Sequence, residues 1–177
     1  MLTDEQIVQL VKTEDKELYT ELVKRYEKKL ERYISYLATN TEWVNDILQD
    51  TFIKAYENLN GFDETKKFSS WIYRIAHNEA INRLHKEKRI INGIDFSIFE
   101  EIFHTQPEIE YEKEITKIEV HKGLNKLPLK YKEVMSLFFL EDKKYEEISD
   151  ILRMSIGTVG TRINRGKKLL VKLLKEK

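Results

Sequence analysis

Apolar residues recur every three or four positions along most of this chain, the period of helices with one buried side. No stretch of comparable length alternates with the period of two that a strand requires. Thr3-Asp-Glu-Gln6 has the spacing of a capping box and predicts a first helix opening there. Leu18, Leu22, Tyr26, Leu30, Tyr33 and Leu37 form the stripe of a second helix. Val44, Ile47, Leu48, Thr51, Phe52, Ala55, Tyr56 and Leu59 form that of a third, stopped by Gly61. A polar loop, Phe62 to Lys67, leads to a fourth helix that carries Phe68, Trp71, Ile72, Ile75 and Ala76 and runs to about Arg89. The same period assigns Trp71 to the core and turns Tyr73, Arg74 and His77 away from it, with Asn78 at the border.

The pattern breaks between residue 90 and about residue 110. This stretch is acidic, has no sustained period and contains Gly93 and Pro107. It reads as a linker, although an apolar one. Ile98, Phe99, Ile102 and Phe103 either dock on a partner surface or cover a patch of their own domain. A helix from Glu108 to Lys126, stopped by Pro128, opens a second helical unit. Tyr131, Val134, Met135, Leu137 and Phe138 mark the next helix. A short helix with Ile148, Ile151 and Leu152 then enters a tight connection at Arg153-Met154, and Ser155 offers an N-cap for a last helix. On that helix Ile156, Val159, Ile163 and Leu170 share one side, while Thr161, Asn164, Arg165 and Lys168 share the other. Hydroxyl, amide and guanidinium groups on the outer side of a supported helix suit the major groove of DNA. The expected fold is all-α, with two small helical domains joined by an irregular linker.

Composition agrees with a helix-rich chain. Its 177 residues are 41% hydrophobic and 35% charged, with 6 Gly and 2 Pro. There are no cysteines, which excludes disulfides and thiolate chemistry and fits a reducing compartment. No leader or membrane-length apolar run is visible, so the expected location is the cytoplasm. A net charge of zero conceals an asymmetry. Residues 1–89 hold 15 basic and 16 acidic residues, 90–115 hold 1 and 7, and 116–177 hold 15 and 8. The basic end fits a polyanion. The four histidines, His77, His85, His104 and His121, show no metal-ligand spacing, and no phosphate-cradling glycine loop or nucleophile elbow occurs. No catalytic residue, cofactor or metal is expected.

Three segments carry a family resemblance. Asp46-Ile-Leu-Gln49-Asp50-Thr-Phe52 resembles the Asp-x-x-Gln-Glu-x-Phe signature of the extracytoplasmic-function (ECF) group of bacterial sigma factors. Phe68-Ser-Ser-Trp71-Ile-Tyr-Arg-Ile-Ala76-His-Asn78, closing with Lys86-Glu-Lys-Arg89, resembles the promoter-melting segment of that group. Leu127-Pro128, Tyr145-Glu-Glu-Ile148 and Gly157-Thr-Val-x-Thr-Arg162 resemble its C-terminal domain. The match covers nearly the whole chain in the family's order.

The resemblance implies a non-catalytic initiation subunit of RNA polymerase. Residues 1–90 would be sigma region 2, 91–110 the linker, and 111–177 sigma region 4. Asp46, Gln49, Asp50 and Phe52 would dock on the coiled coil of the polymerase's large subunit, and the C-terminal domain on its flap. By residue type alone, the same acidic edge is an ordinary solvated face. Asn60, Lys66, Lys67, Tyr73, Arg74, His77, Asn78, Lys86, Lys88 and Arg89 would bind the minus-ten element, with Asn78 at the pocket for a flipped base. The cations Lys86, Lys88 and Arg89 also suit a helix C-terminus without any DNA. Ser155, Thr158, Thr161, Arg162, Asn164, Arg165 and Lys168 would bind the minus-thirty-five element, Arg165 facing a base and Arg162 a phosphate. Two glycines depart from the family: Gly160 stands where it has a basic residue, and Gly166 where it has alanine. The expected partners are core polymerase, promoter DNA and an anti-sigma factor, with no insertion into a membrane. Two other readings fit parts of the chain. One is a dimeric helix-turn-helix regulator, which leaves the Asp46–Phe52 and Phe68–Asn78 motifs unexplained. The other is a helical adaptor that binds only protein.

Overall fold

A computed structural model describes residues 2–38, 40–91 and 123–175, and those residues contain helices and connections but no strand. Helix α1, Asp4–Thr13, starts at the capping box: Gln6 N–H donates to Thr3 Oγ1 at 3.2 Å, and Thr3 N–H to Gln6 Oε1 at 2.9 Å. It buries Ile7, Val8 and Val11. A single 3-10 turn, Lys16–Leu18, leads into α2, Tyr19–Leu37, which buries Leu22, Tyr26, Leu30, Tyr33, Ile34 and Leu37. Helix α3, Glu42–Glu57, buries Val44, Ile47, Leu48, Thr51 and Ala55. After a second 3-10 turn, Leu59–Gly61, helix α4 runs Phe68–Ile91. Of the expected linker 91–110, Ile91 is helical and the remainder lies outside the described residues.

The four N-terminal helices enclose an aromatic core. Phe62 and Phe68 stand edge to face at 5.7 Å, and Tyr26 meets Phe68 edge to face at 5.6 Å. Trp71 leans on Phe62 and Phe68 from the margin of this cluster and stays partly exposed rather than fully buried. At the far end of α2, Tyr33 lies against Tyr73 of α4 at 5.5 Å.

Residues 123–126 are helical; the earlier part of the expected Glu108–Lys126 helix lies outside the described residues. Pro128 caps α5, Leu129–Phe139, which is followed by α6, Tyr145–Leu152, and α7, Ile156–Lys175. Val134, Met135, Leu137, Ile148, Ile151, Val159, Ile163 and Leu170 form their buried centre. Gly166 permits a close approach here, since a Cβ on it would lie 2.8 Å from Met135 Cγ. Ile156 departs from expectation at 49% exposed, because the first turn of α7 overhangs the core and Val159 is its first buried residue. The two sets of helices meet along α4, which α6 crosses, and along α2, which α5 touches.

The connection from α6 to α7 turns through Arg153 in the left-handed conformation, at φ 54°. Glycine favours that position because its lack of a Cβ removes the steric penalty. Arg153→Gly is expected to stabilise the fold by about 0.5–1 kcal/mol, read as a higher urea midpoint with unchanged slope. A lower midpoint would contradict the cap geometry.

Candidate functional site

The last two helices pack together across a short, hydrogen-bonded turn. Ser149 Oγ donates to Met154 O at 2.6 Å and ties the turn to α6. Ser155 caps α7 by accepting Thr158 N–H at 3.1 Å, and its hydroxyl also meets the Thr158 hydroxyl at 2.9 Å. With Val159, Ile163, Gly166 and Leu170 turned inward, Thr161, Asn164, Arg165 and Lys168 face solvent. Thr161 Oγ1 donates back to Gly157 O at 2.9 Å. Arg162 is half-buried and reaches Lys130 O at 3.5 Å. An open polar groove runs between the starts of α5 and α7, and Lys130 and Tyr131 line it together with Thr161, Arg162 and Arg165. The sequence pattern did not single out Lys130 and Tyr131 for this surface; only the packing of α5 beside α7 brings them there.

On α3, Asp46, Gln49 and Asp50 are exposed along one edge. Phe52 is half-buried, and its carbonyl accepts the Tyr19 hydroxyl at 2.7 Å. Ile53 continues the acidic edge at 47% exposed, and Tyr56 follows at 41%. The apolar period assigned Tyr56 to the buried stripe. The structure instead props one side of its ring on Tyr19 at 5.0 Å and exposes the rest. Ile53 was legible as an apolar residue three and four positions beyond Asp50 and Gln49.

The residues expected at the minus-ten element divide into two groups. Asn60, Lys66, Asn78 and Lys86 are exposed, whereas Lys88 and Arg89 lie on α4 with side chains outside the described set. The expectation that Tyr73, Arg74 and His77 face outward is corrected: Tyr73 and His77 are buried and Arg74 is half-buried. The reason is tertiary, because α2 and the C-terminal helices cover the side of α4 that lies off its own apolar stripe. Tyr73 donates to Glu141 Oε2 at 2.5 Å. Arg74 Nη2 pairs with Asp150 at 2.5 Å, and Lys67 Nζ with Glu147 at 3.1 Å. His77 Nδ1 meets the Tyr33 hydroxyl at 3.0 Å, and its Nε2 lies 3.9 Å from Glu133.

Among the described residues, no group of three or more His, Asp or Glu side chains is placed to hold a metal ion. No described helix is long and apolar enough to cross a membrane.

Family models described as Sigma-70 region 2 and Sigma-70, region 4 match residues 22–90 and 117–170. The ECF RNA polymerase sigma factor SigW of Bacillus subtilis is 32% identical, covering 96% of this chain and 95% of that protein. The chain belongs to the ECF sigma factors of the sigma-70 family. As a sigma factor, it directs RNA polymerase to promoters. The ECF RNA polymerase sigma-E factor of Haemophilus influenzae is 30% identical to this sigma factor, covering 96% of this chain and 94% of the relative. CnrH, solved in complex with the cytosolic domain of CnrY, has the same fold, with a TM-score of 0.73 at 22% identity over 98% of this chain and 97% of that one. The sigma factor RpoE of Bartonella quintana, solved in complex with the anti-sigma factor NepR, gives a TM-score of 0.69 at 22% identity, over 89% of this chain and 96% of that one. Both domains of this sigma factor are therefore helical, as the sequence pattern implied.

Burial pushes the His77 imidazole down to about 4 from its usual 6.5. Between those values the unfolded chain takes up a proton that the folded one excludes. His77 thus stabilises the sigma factor fully above pH 6.5, and this contribution is lost as pH falls toward 4. Burial raises the neighbouring Glu133 carboxyl, which acts in the opposite sense: its contribution is present at low pH and lost as pH rises. His77→Gln is expected to flatten the acid limb of stability by about 1–3 kcal/mol in urea titrations across this range. An unchanged acid limb would show that His77 is not excluded from protonation.

Proposed function

We propose that the exposed edge of α3 docks on core polymerase, that α4 and the loop at residues 60–67 hold the opened minus-ten strand, and that α7 reads the minus-thirty-five element. One observation carries the reading. Thr161, Asn164, Arg165 and Lys168 stand together on the free side of a helix whose other side is buried. A helix so supported enters the major groove without losing its packing. Arg165 has the length and fork geometry for a guanine, and Arg162 and Lys130 border the same groove, where a phosphate would pass.

Asp46, Gln49 and Asp50 suit a basic helical partner, and the apolar surface of Ile53 and Tyr56 supplies a desolvated centre for that contact. Residues 1–90 act as the docking and melting unit and residues 111–177 as the reading unit. The protein is a non-catalytic subunit that works in the cytoplasm. An anti-sigma factor is the third partner after core polymerase and promoter DNA, in keeping with the complex of the sigma factor RpoE and the anti-sigma factor NepR, whose sigma subunit shares the fold.

Two variants separate the surfaces. Arg165→Ala is expected to weaken binding of the holoenzyme to promoter duplex by about tenfold or more in gel shifts, with core binding unchanged. Asp50→Lys is expected to lose capture of core polymerase in a pull-down while the protein's affinity for duplex DNA persists. Normal core capture by Asp50→Lys would remove the docking assignment, and normal promoter binding by Arg165→Ala would remove the reading assignment.

A further inference from the structure

No residue of α1 belongs to the surfaces assigned above, yet two of its polar side chains reach across to the loop before α4. Glu5 and Lys12 are seven positions apart, so they stand on one side of the helix two turns from each other, with the buried Val8 between them. Glu5 Oε1 accepts the Phe68 N–H at 2.9 Å. Phe68 is the first residue of α4, and the opening N–H groups of a helix have no partner within it, so a carboxylate of α1 caps α4 from outside. Lys12 Nζ donates to Phe62 O at 3.3 Å and pairs with Glu64 at 3.1 Å. The Lys12 side chain is 15% exposed, and its ammonium stands 5.8 Å from the centre of the buried Phe62 ring.

These contacts fall on the two ends of the loop. Between them the chain makes one tight turn: Asp63 Oδ1 accepts the Thr65 N–H at 2.9 Å and the Thr65 hydroxyl at 2.7 Å, and the Lys66 N–H donates to Asp63 O at 3.0 Å. Asp63 to Lys67 are all exposed, as is Asn60 just before them. A loop with anchored ends and an internally bonded turn loses little freedom when it meets a strand. Lys12 is not itself placed to hold DNA, because its ammonium is engaged by the Phe62 carbonyl and by Glu64 and is largely covered. It offsets instead the one carboxylate of the loop that would otherwise stand unpaired beside a phosphate backbone.

We infer that Glu5 and Lys12 are positioning residues for minus-ten selection: α1 is a strut that fixes the loop against the opened strand without touching DNA. The inference rests on the reading of residues 60–67 as part of the minus-ten site. With the strut removed, the loop takes up several arrangements, and a base contact that requires one of them is made by only a fraction of the molecules. Attraction to the phosphate backbone depends on charge rather than on the base, so it changes far less.

Transcription by the holoenzyme from a pool of barcoded duplex templates, randomised at both promoter elements, reads the base preference at each element in one reaction. Lys12→Met keeps an apolar stem beside Phe62 and removes the ammonium, and Glu5→Ala removes the cap. Each is expected to reduce the minus-ten preference, the ratio of transcript from the favoured base to that from the others, by about threefold to tenfold, with the minus-thirty-five preference in the same pool unchanged. Lys12→Arg and Glu5→Gln, which restore a donor and an acceptor at the same places, are expected to keep the wild-type preference. A role in folding alone would lower total transcript and leave the ratio as it was, which would overturn the inference. Equal erosion at both promoter elements would overturn it too, as the mark of a general defect. Asn60→Ala, beside the turn itself, separates the inference from the reading beneath it. If Asn60→Ala leaves the minus-ten preference intact, the loop does not read and that assignment fails. If Asn60→Ala erodes the preference while Lys12→Met and Glu5→Ala do not, the loop reads without a strut and only the inference falls.

Discussion

Helix α4 is the one element that every other part of the structure must accommodate. Phe68, Ile72, Ala76, Ala80 and Leu84 commit one side of it to the N-terminal core, and α2, α5 and α6 cover Tyr73, Arg74 and His77 on another. The polar groups enclosed there all find partners, and none of the buried side-chain nitrogen or oxygen atoms described is without a hydrogen bond. A buried donor or acceptor left unpaired costs about 1–3 kcal/mol, so this helix cannot be uncovered on that side unless water or another partner replaces what α6 supplies. Among its described side chains, Asn78, Asn82, His85 and Lys86 are the exposed ones.

Helices α3 and α7 face a simpler demand, since each needs only one buried side. That leaves the carboxylates of α3 and the hydroxyl, amide and guanidinium groups of α7 free of structural duty, and their outward positions follow from helical geometry alone. The two surfaces also differ in chemistry. The α3 edge combines acids with the exposed side chains of Ile53 and Tyr56, as a protein partner requires, whereas the α7 face is polar and basic, as DNA requires.

What could be read from the amino-acid sequence follows the same division. The cap at Thr3, the N-cap at Ser155 and the outward set on α7 depend on residues within a few positions of one another, and the pattern placed them. Tyr73 and His77 could not be placed, because their burial depends on Tyr33, Glu133 and Glu141, which lie 44 to 68 positions away in the chain. Ile156 and Tyr56 have the right period for burial, but each sits at a helix end where no neighbour reaches it fully. Gly166 read only as a departure from the family's alanine; its use lies in the space beside Met135, which only the packed helices reveal. Arg153 shows the converse, a residue accepted where glycine would suit the backbone better.

The central claim is that this chain gives a polymerase its choice of start site, and run-off transcription with purified core enzyme tests it most directly. With core alone there should be no discrete transcript from a promoter template; adding the protein should produce one of defined length, lost when the minus-thirty-five sequence is scrambled. Transcription that begins only when another sigma factor is already present would contradict the account and leave a regulator in its place.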